Sequence, residues 1–330
     1  WHLAAVGLRA AWKSKALTAH PTAMGAVEAW IVGTLSRALS YGTPLLLGTL
    51  GEIYAERSGV LNLGVEGMMI LGALTGFVTT YLTADPWLGL LAATVAGGLA
   101  SLVHAFWSIT LRANQVVSGL ALTMLGLGLA GLLGRGWAGE PLPAKLPSVT
   151  VPGLARIPYL GPILFVEQNW LVYFAIVLAF LMWVVLFKTR VGITIRSVGE
   201  NPAAADALGV NVWRVRYLCV LLGGLLAGLA GGYLSIVYRP AWTEGMTAGM
   251  GWIVIALTIF AFWNPLLGLG GAYFFGALYH LSYRLQPHVA PEFLQAMPYV
   301  VAILVLTLAS ARVRRGLAMP AALGQPYRRG

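Results

Sequence analysis

Apolar residues run along this chain in long blocks separated by short polar interruptions, with neither the period-two alternation of half-buried strands nor the one-sided stripe of surface helices. Several blocks approach the roughly 20 residues that an α-helix needs to cross a bilayer. A helix is the element whose backbone satisfies itself in hydrocarbon. The pattern predicts about nine spans, near 29–50, 60–82, 87–108, 115–136, 169–187, 217–238, 249–263, 265–283 and 297–311. The seventh and ninth are short, as tilted, re-entrant or broken helices inside protein would be. Pro86, Pro265 and Pro298 stand at span starts, where a missing donor does least harm. The expected class is an all-α polytopic membrane protein with broken helices.

One interruption is unusually polar. Residues 51–69, GEIYAERSGVLNLGVEGMM, place three glutamates, an arginine and an asparagine beside apolar blocks. A carboxylate in hydrocarbon costs about 2.5–3.5 kcal/mol on insertion scales, so Glu66 should face protein interior or a water-filled route. Asn62 and Glu66 are four apart and share a face if that part is helical. A glycine-kinked helix here would expose backbone polar groups beside a pathway. On the plainer reading Glu56 and Arg57 are interfacial loop residues, while Asn62 and Glu66 satisfy one another and their neighbours. A second break, Arg112-Ala113-Asn114-Gln115, supplies a cationic anchor and two amides that either cap the next helix or approach the pathway. Asn62, Glu66, Asn114 and Gln115 are therefore the candidate translocation-path residues.

Composition supports the membrane reading. The 330 residues are 58% hydrophobic and 10% charged, against about 25% charge in a soluble domain. The 41 glycines and 12 tryptophans suit close helix packing and membrane interfaces. Gly224, Gly228 and Gly232 give overlapping GxxxG spacings, and Trp252, Phe260, Phe262 and Trp263 read as core or interface aromatics. The lone Cys219 offers neither disulfide nor metal site. The net charge of +10 gathers beside spans, which argues for membrane flanks and against nucleic-acid binding. No GxxxxGK[ST] loop is present, so no ATP hydrolysis is expected in this chain. Glu66, His104, Asp206 and His280 are scattered without HExxH or another compact catalytic spacing, so an enzyme is not expected.

Basic residues set the orientation. Placing Arg57, Arg112, the 188–216 loop and the C-terminal cluster inside gives twelve cytoplasmic Lys or Arg. Arg9, Lys13 and Lys15 then fall outside, within an N-terminal segment 1–28 read as interfacial or truncated. Residues 29–311 form the transmembrane domain, 188–216 its cytoplasmic loop and 312–330 a basic cytoplasmic tail. The Pro-rich stretch 138–165 becomes an external cap without regular structure. PWLGLL from Pro86 echoes PLLGLG from Pro265, with Gly89 matching Gly268 and Gly97 matching Gly276 at an offset of 179. The two spans run in opposite directions in this topology, as in an inverted repeat.

The loop 188–216 has its own order. Asn201 can cap a helix that starts at Pro202, continues through four nearby alanines and ends at Gly209. A small-faced helix flanked by charge suits a partner's groove. GVLNLGVEGMM at 59–69 and GITIRSVGENPAAADALGVNV at 192–212 together resemble the inner-membrane permease subunits of bacterial ABC importers, in the nucleoside branch of the ribose and branched-chain amino acid permease superfamily. The resemblance covers the chain from about residue 30 onward. It implies a multi-pass protein of the bacterial cytoplasmic (inner) membrane, working by alternating access with a second homologous permease chain. It also implies a cytoplasmic ABC ATPase that uses ATP and Mg, and an extracellular or periplasmic solute-binding protein. No cofactor or metal is implied in this chain itself. Glu200, Asn201, Pro202, Ala204, Ala207 and Gly209 match the family's ATPase-coupling segment. Nucleosides are the implied substrates, ahead of ribose and other sugars, then branched-chain amino acids. An ion-driven secondary transporter would leave the coupling-like loop without a purpose.

Overall fold

The structure, a computed structural model, describes residues 25–287, 289–311 and 319–328. The early basic positions Arg9, Lys13 and Lys15, and Arg312, Arg314, Arg315 and Arg329 of the tail, lie outside the described residues.

The chain folds into helices in the order α1 (Ala26–Arg57), α2 (Val65–Thr83), α3 (Pro86–Ala105), α4 (Gln115–Gly134), α5 (Leu160–Leu164), α6 (Trp170–Lys188), α7 (Arg190–Glu200), α8 (Pro202–Ala207), α9 (Val212–Tyr233), α10 (Met250–Phe260), α11 (Pro265–Leu285) and α12 (Pro291–Ala311). Among the described residues five helical stretches, Val65–Thr83, Pro86–Thr110, Gln115–Trp137, Trp170–Lys188 and Val212–Tyr238, are long and apolar enough to cross a membrane. The stretch containing α9 is 78% buried and forms the centre, packed on α1, α2 and α3. The one containing α4 is only 28% buried and turns Met124, Leu132 and Leu133 outward. Such a face would be a liability in water and is the expected surface in lipid.

Glycine sets the closest contacts. Where α3 crosses α9, a Cβ on Gly228 would lie 2.2 Å from the Ala93 carbonyl oxygen and one on Gly97 2.3 Å from that of Gly224. The predicted GxxxG series is therefore a backbone-to-backbone contact surface. Asp85 accepts from Trp87 N at 2.9 Å and caps α3, and Asn264 accepts from Leu266 N at 3.0 Å and caps α11, each just before the proline that opens its helix.

The four basic regions meet at one end of the bundle where described. Arg216 donates to the Ser58 carbonyl at 3.2 Å and to the Gln325 carbonyl at 3.1 Å, and Arg112 lies 5.8 Å from the Trp213 ring centroid. The opposite end carries residues 138–169. There Gln168 donates to the Ser36 carbonyl at 3.1 Å, and Leu142 N donates to the Pro240 carbonyl at 3.0 Å. α3 ends near the basic end, where His104 meets the Leu61 carbonyl, whereas α11 ends at the opposite one, where Arg284 meets that of Trp30.

Several expectations change. Glu56 and Arg57 are not loop residues but, with Glu52, belong to the buried last turns of α1. The Trp263 indole donates to Glu56, and Arg57 donates to the carbonyls of Phe262 and Trp263 at 3.1 and 3.3 Å. With those partners in place the helix continues, and hydropathy along the chain sees none of them. Asn62 and Glu66 do not share a helix face, because α2 starts only at Val65. Pro298 lies inside α12 rather than at its start. The cap at 138–165 contains regular structure: β1 (Ser148–Val149) pairs antiparallel with β2 (Gln168–Asn169), Ser148 opposite Asn169, and α5 follows β1.

Candidate functional site

The polar interruption folds into a turn from Ser58 to Gly64 between α1 and α2. The amides of Ser58, Gly59 and Val60 donate to the last carbonyls of α1, while those of Leu61, Asn62 and Gly64 lie beyond their reach and take side-chain acceptors. Glu52 accepts from Asn62 N at 3.2 Å, Gln115 from Leu61 N at 2.7 Å, and Asn62 Oδ1 from Gly64 N at 3.1 Å. His104 is fully buried and bridges the Leu61 carbonyl and Ser118 Oγ, both at 3.1 Å, tying the turn to α3 and α4. Asn62 is thus a turn organiser, and Gln115 joins that turn to α4. Asn114 accepts from Val116 N and Val117 N at 2.9 and 3.2 Å, which makes it the cap of α4.

Glu66 stands in the first turn of α2, 3% exposed, and accepts three hydrogen bonds from one distant segment: Thr247 Oγ1 at 2.5 Å, Gly249 N at 3.0 Å and Gly251 N at 2.6 Å. That segment leads into α10, whose N-cap, Gly249, has no side chain to satisfy the first amides. Glu66 supplies the missing acceptor from another helix and puts negative charge at the positive end of α10. The approach is tight: a Cβ on Gly251 would sit 2.5 Å from Glu66 N and Cα. Ala248, at φ 46°, and Gly249, at φ 79°, form a left-handed pair that this clamp holds.

α10 has only 11 residues, or about 16 Å, roughly half of the hydrocarbon thickness. Irregular backbone between Tyr238 and Met250 covers the rest of that level, buried against the bundle at Trp242, Met246 and Thr247. The candidate path residues therefore separate. Asn62, Gln115 and Asn114 organise the turn and α4, while Glu66 fixes the discontinuous helix. Sequence reading missed Glu52, whose partner Asn62 lies across the turn, and Thr247, 181 positions from Glu66.

At the basic end, Asn201 Oδ1 accepts from Ala204 N at 3.0 Å, Pro202 opens α8, and Gly209, at φ 85°, turns the chain out of it. Glu200, Asn201, Ala204, Ala207 and Gly209 are exposed, and Leu208 projects at 86% exposure, while Ala205 is buried beneath with Val198 and Val212. One face of the segment is fixed and the other is free. Residues 319–328 brace the fixed side: Ala322 N donates to the Gly199 carbonyl at 2.9 Å, Ala321 N to Glu200 Oε2 at 3.3 Å and the Tyr327 hydroxyl to Asp206 Oδ2 at 2.9 Å.

A family profile described as the branched-chain amino acid transport system / permease component matches residues 34–308. The chain is 40% identical over 307 residues to the guanosine ABC transporter permease protein NupQ of Bacillus subtilis, covering 88% of this chain and 95% of that protein. It is 36% identical over 296 residues to the nucleoside ABC transporter permease protein NupC of Lactococcus lactis, covering 84% and 93%. TsgC13 of Haloferax volcanii, designated a glucose ABC transporter permease, is 40% identical over 323 residues, covering 90% and 98%. Among solved structures, a metal-chelate type ABC transporter in an inward-facing conformation matches with a TM-score of 0.51 at 15% identity over 85% of each chain, a likeness of fold. The chain belongs to the branched-chain amino acid transport system / permease component family, and it is a multi-pass permease subunit of the cytoplasmic membrane rather than an enzyme.

Proposed function

We propose that this chain moves nucleosides across the cytoplasmic membrane as half of a two-permease pathway, driven by a cytoplasmic ATPase and loaded by a solute-binding protein. ATP and Mg belong to the ATPase. The observation that carries the energising step is the capped, outward-facing α8, braced from behind and ending in the projecting Leu208. An exposed apolar tip on a rigid base is what a partner's groove needs in order to push on the bundle. In this reading Glu200, Asn201, Pro202, Ala204, Ala207 and Gly209 form the docking surface. The nucleoside assignment rests on the guanosine and nucleoside permeases among the relatives. Glucose or another sugar is the second reading, favoured by the Haloferax volcanii relative.

The bundle then has nine membrane elements: α1, α2, α3, α4, α6, α9, the half-length α10, α11 and α12. The basic end faces the cytoplasm, because positive flanks stay inside. An inverted repeat is supported by paired crossings. A Cβ on Gly97 would lie 2.3 Å from the Gly224 carbonyl oxygen and 2.6 Å from Gly228 N, and one on Gly276 2.3 Å from that of Ala38 and 2.7 Å from Gly42 N. Gly97 and Gly276 are 179 positions apart, while Ala38 and Gly42 precede Gly224 and Gly228 by 186. Asp85 and Asn264 keep the offset of 179 as caps.

The test of substrate uses the solute-binding protein that loads the transporter. Calorimetric titration with adenosine, guanosine, uridine, ribose, glucose and leucine should show tight binding of nucleosides alone. Selective binding of glucose or leucine would overturn the nucleoside assignment.

A further inference from the structure

Away from the coupling face, four helices bring tyrosines together. Tyr41 of α1 stacks on Tyr279 of α11 with ring centroids 4.6 Å apart and planes at 23°, and Tyr283 tilts towards Tyr41 at 6.3 Å and 56°. Tyr238, just beyond α9, meets the edge of Tyr41 at 4.9 Å. Tyr299 of α12 completes the group and donates to the Ala248 carbonyl at 3.3 Å. Tyr41, Tyr279, Tyr283 and Tyr299, with Ser282 and Gln286, line a cavity of about 330 Å³. Ala248 is also in its wall, so the segment clamped by Glu66 shapes one side. α11 ends here, at the end of the bundle opposite α8.

The lining defines a chemistry. Tyrosine faces attract other π-systems in stacked or edge-on arrangements, and their hydroxyls hydrogen-bond at the rim. Gln286 offers both a donor and an acceptor, as recognition of a heterocycle's edge requires. No acidic residue lines the cavity among the described residues, and Glu66, behind the Ala248 wall, already accepts from Thr247, Gly249 and Gly251, so the ammonium of an amino acid would have to compete with three donors for a counter-charge. A sugar alone has no aromatic plane to set against the tyrosine faces, whereas the base of a nucleoside does. The volume falls in the range of about 300–1,000 Å³ usual for small-molecule sites. Arg239 stands at the edge, 5.9 Å from the Tyr238 and Tyr283 ring centroids and hydrogen-bonded to the Tyr283 hydroxyl at 2.5 Å, which holds that ring in place.

We propose that this tyrosine cavity is a binding station for the planar base of a nucleoside, taken up from the external side before passage inward. The inference rests on the nucleoside reading and adds where in this chain the solute is held and by which groups. Base-on-tyrosine stacking supplies weak, sequence-tolerant attraction without the charge pairing that would retain the solute.

The experiment uses the complete transporter in proteoliposomes, with its ATPase and saturating binding protein, and follows uptake of labelled adenosine and of ribose. Tyr279→Leu and Tyr283→Leu should each slow adenosine uptake by about 5- to 150-fold, the range for losing one base–aromatic stack. Tyr279→Phe keeps the π-face and should stay within about twofold of the parent. Photolabelling of the unaltered transporter with 8-azidoadenosine should mark peptides containing Tyr279, Tyr283 or Tyr299, and adenosine should protect them. Adenosine uptake by the parent together with undiminished uptake by both leucine variants would overturn the cavity and leave the nucleoside reading standing. Equal slowing by Tyr279→Phe and Tyr279→Leu would also overturn it, since the π-face would then be irrelevant. A parent that takes up ribose and no nucleoside would overturn the underlying reading and the station with it.

Discussion

Replacing Glu66 with glutamine keeps the shape of the clamp and changes what it can accept. In the native chain one carboxylate oxygen takes Thr247 Oγ1 and Gly249 N, and the other takes Gly251 N. Glutamine has one carbonyl oxygen, and its amide nitrogen must point either at Gly251 N or at the Thr247 and Gly249 side. The threonine hydroxyl can rotate to accept, but a backbone N–H cannot, so every orientation leaves one buried amide facing another donor. Loss of a charge-assisted bond together with an orphaned amide costs about 2–4 kcal/mol. Because the loss is local, it should appear first as opening of the 245–251 segment. The amides of Gly249 and Gly251 should exchange with solvent about 30- to 700-fold faster in Glu66→Gln, read by hydrogen exchange and mass spectrometry on the purified chain. Nucleoside uptake should fall as well, since Ala248 shapes the tyrosine cavity. Exchange within twofold of the parent would refute the clamp and return Glu66 to candidacy as a free path residue.

Three further outcomes follow from the same geometry. Ala204→Arg places charge on the exposed face of α8, so stability should stay within about 0.5 kcal/mol in thermal unfolding while ATP-driven uptake is abolished; normal uptake would contradict docking there. Gly228→Val drives a side chain into the Ala93 carbonyl across the α3–α9 crossing and should cost about 3 kcal/mol, seen as loss of monodisperse protein on size exclusion. Tyr327→Phe removes the hydroxyl bond to Asp206 and, at about 1 kcal/mol, should raise hydrogen exchange across residues 320–327 roughly fivefold.

Much of this arrangement was legible in the chain. Long apolar blocks announced spanning helices, and the order Asn201, Pro202, alanines, Gly209 gave α8 together with both its ends, because caps and left-handed turns are decided by residues a few positions apart. Glycines at four-residue spacing announced a close crossing, although their partners on α3 had to be seen. What stayed hidden was long-range pairing. Nothing near Glu66 says that its acceptors serve amides more than 180 positions away, or that Glu56 meets Trp263. The same limit made Asn62 and Glu66 look like companions, when each serves a different task. The tyrosine cluster gathers Tyr41 with residues beyond 230, so no local pattern could display it.

The roles proposed for α8 and for the tyrosine cavity both depend on ATP-driven passage of nucleosides through this permease. Its most direct test is accumulation of labelled adenosine in proteoliposomes carrying the complete transporter, with ATP and Mg on the cytoplasmic face and glucose, ribose and leucine as competitors. Accumulation is expected only when ATP is hydrolysed, with competition by other nucleosides and none by the sugars or leucine. Equal uptake without the ATPase, or accumulation of glucose or leucine in place of adenosine, would contradict it.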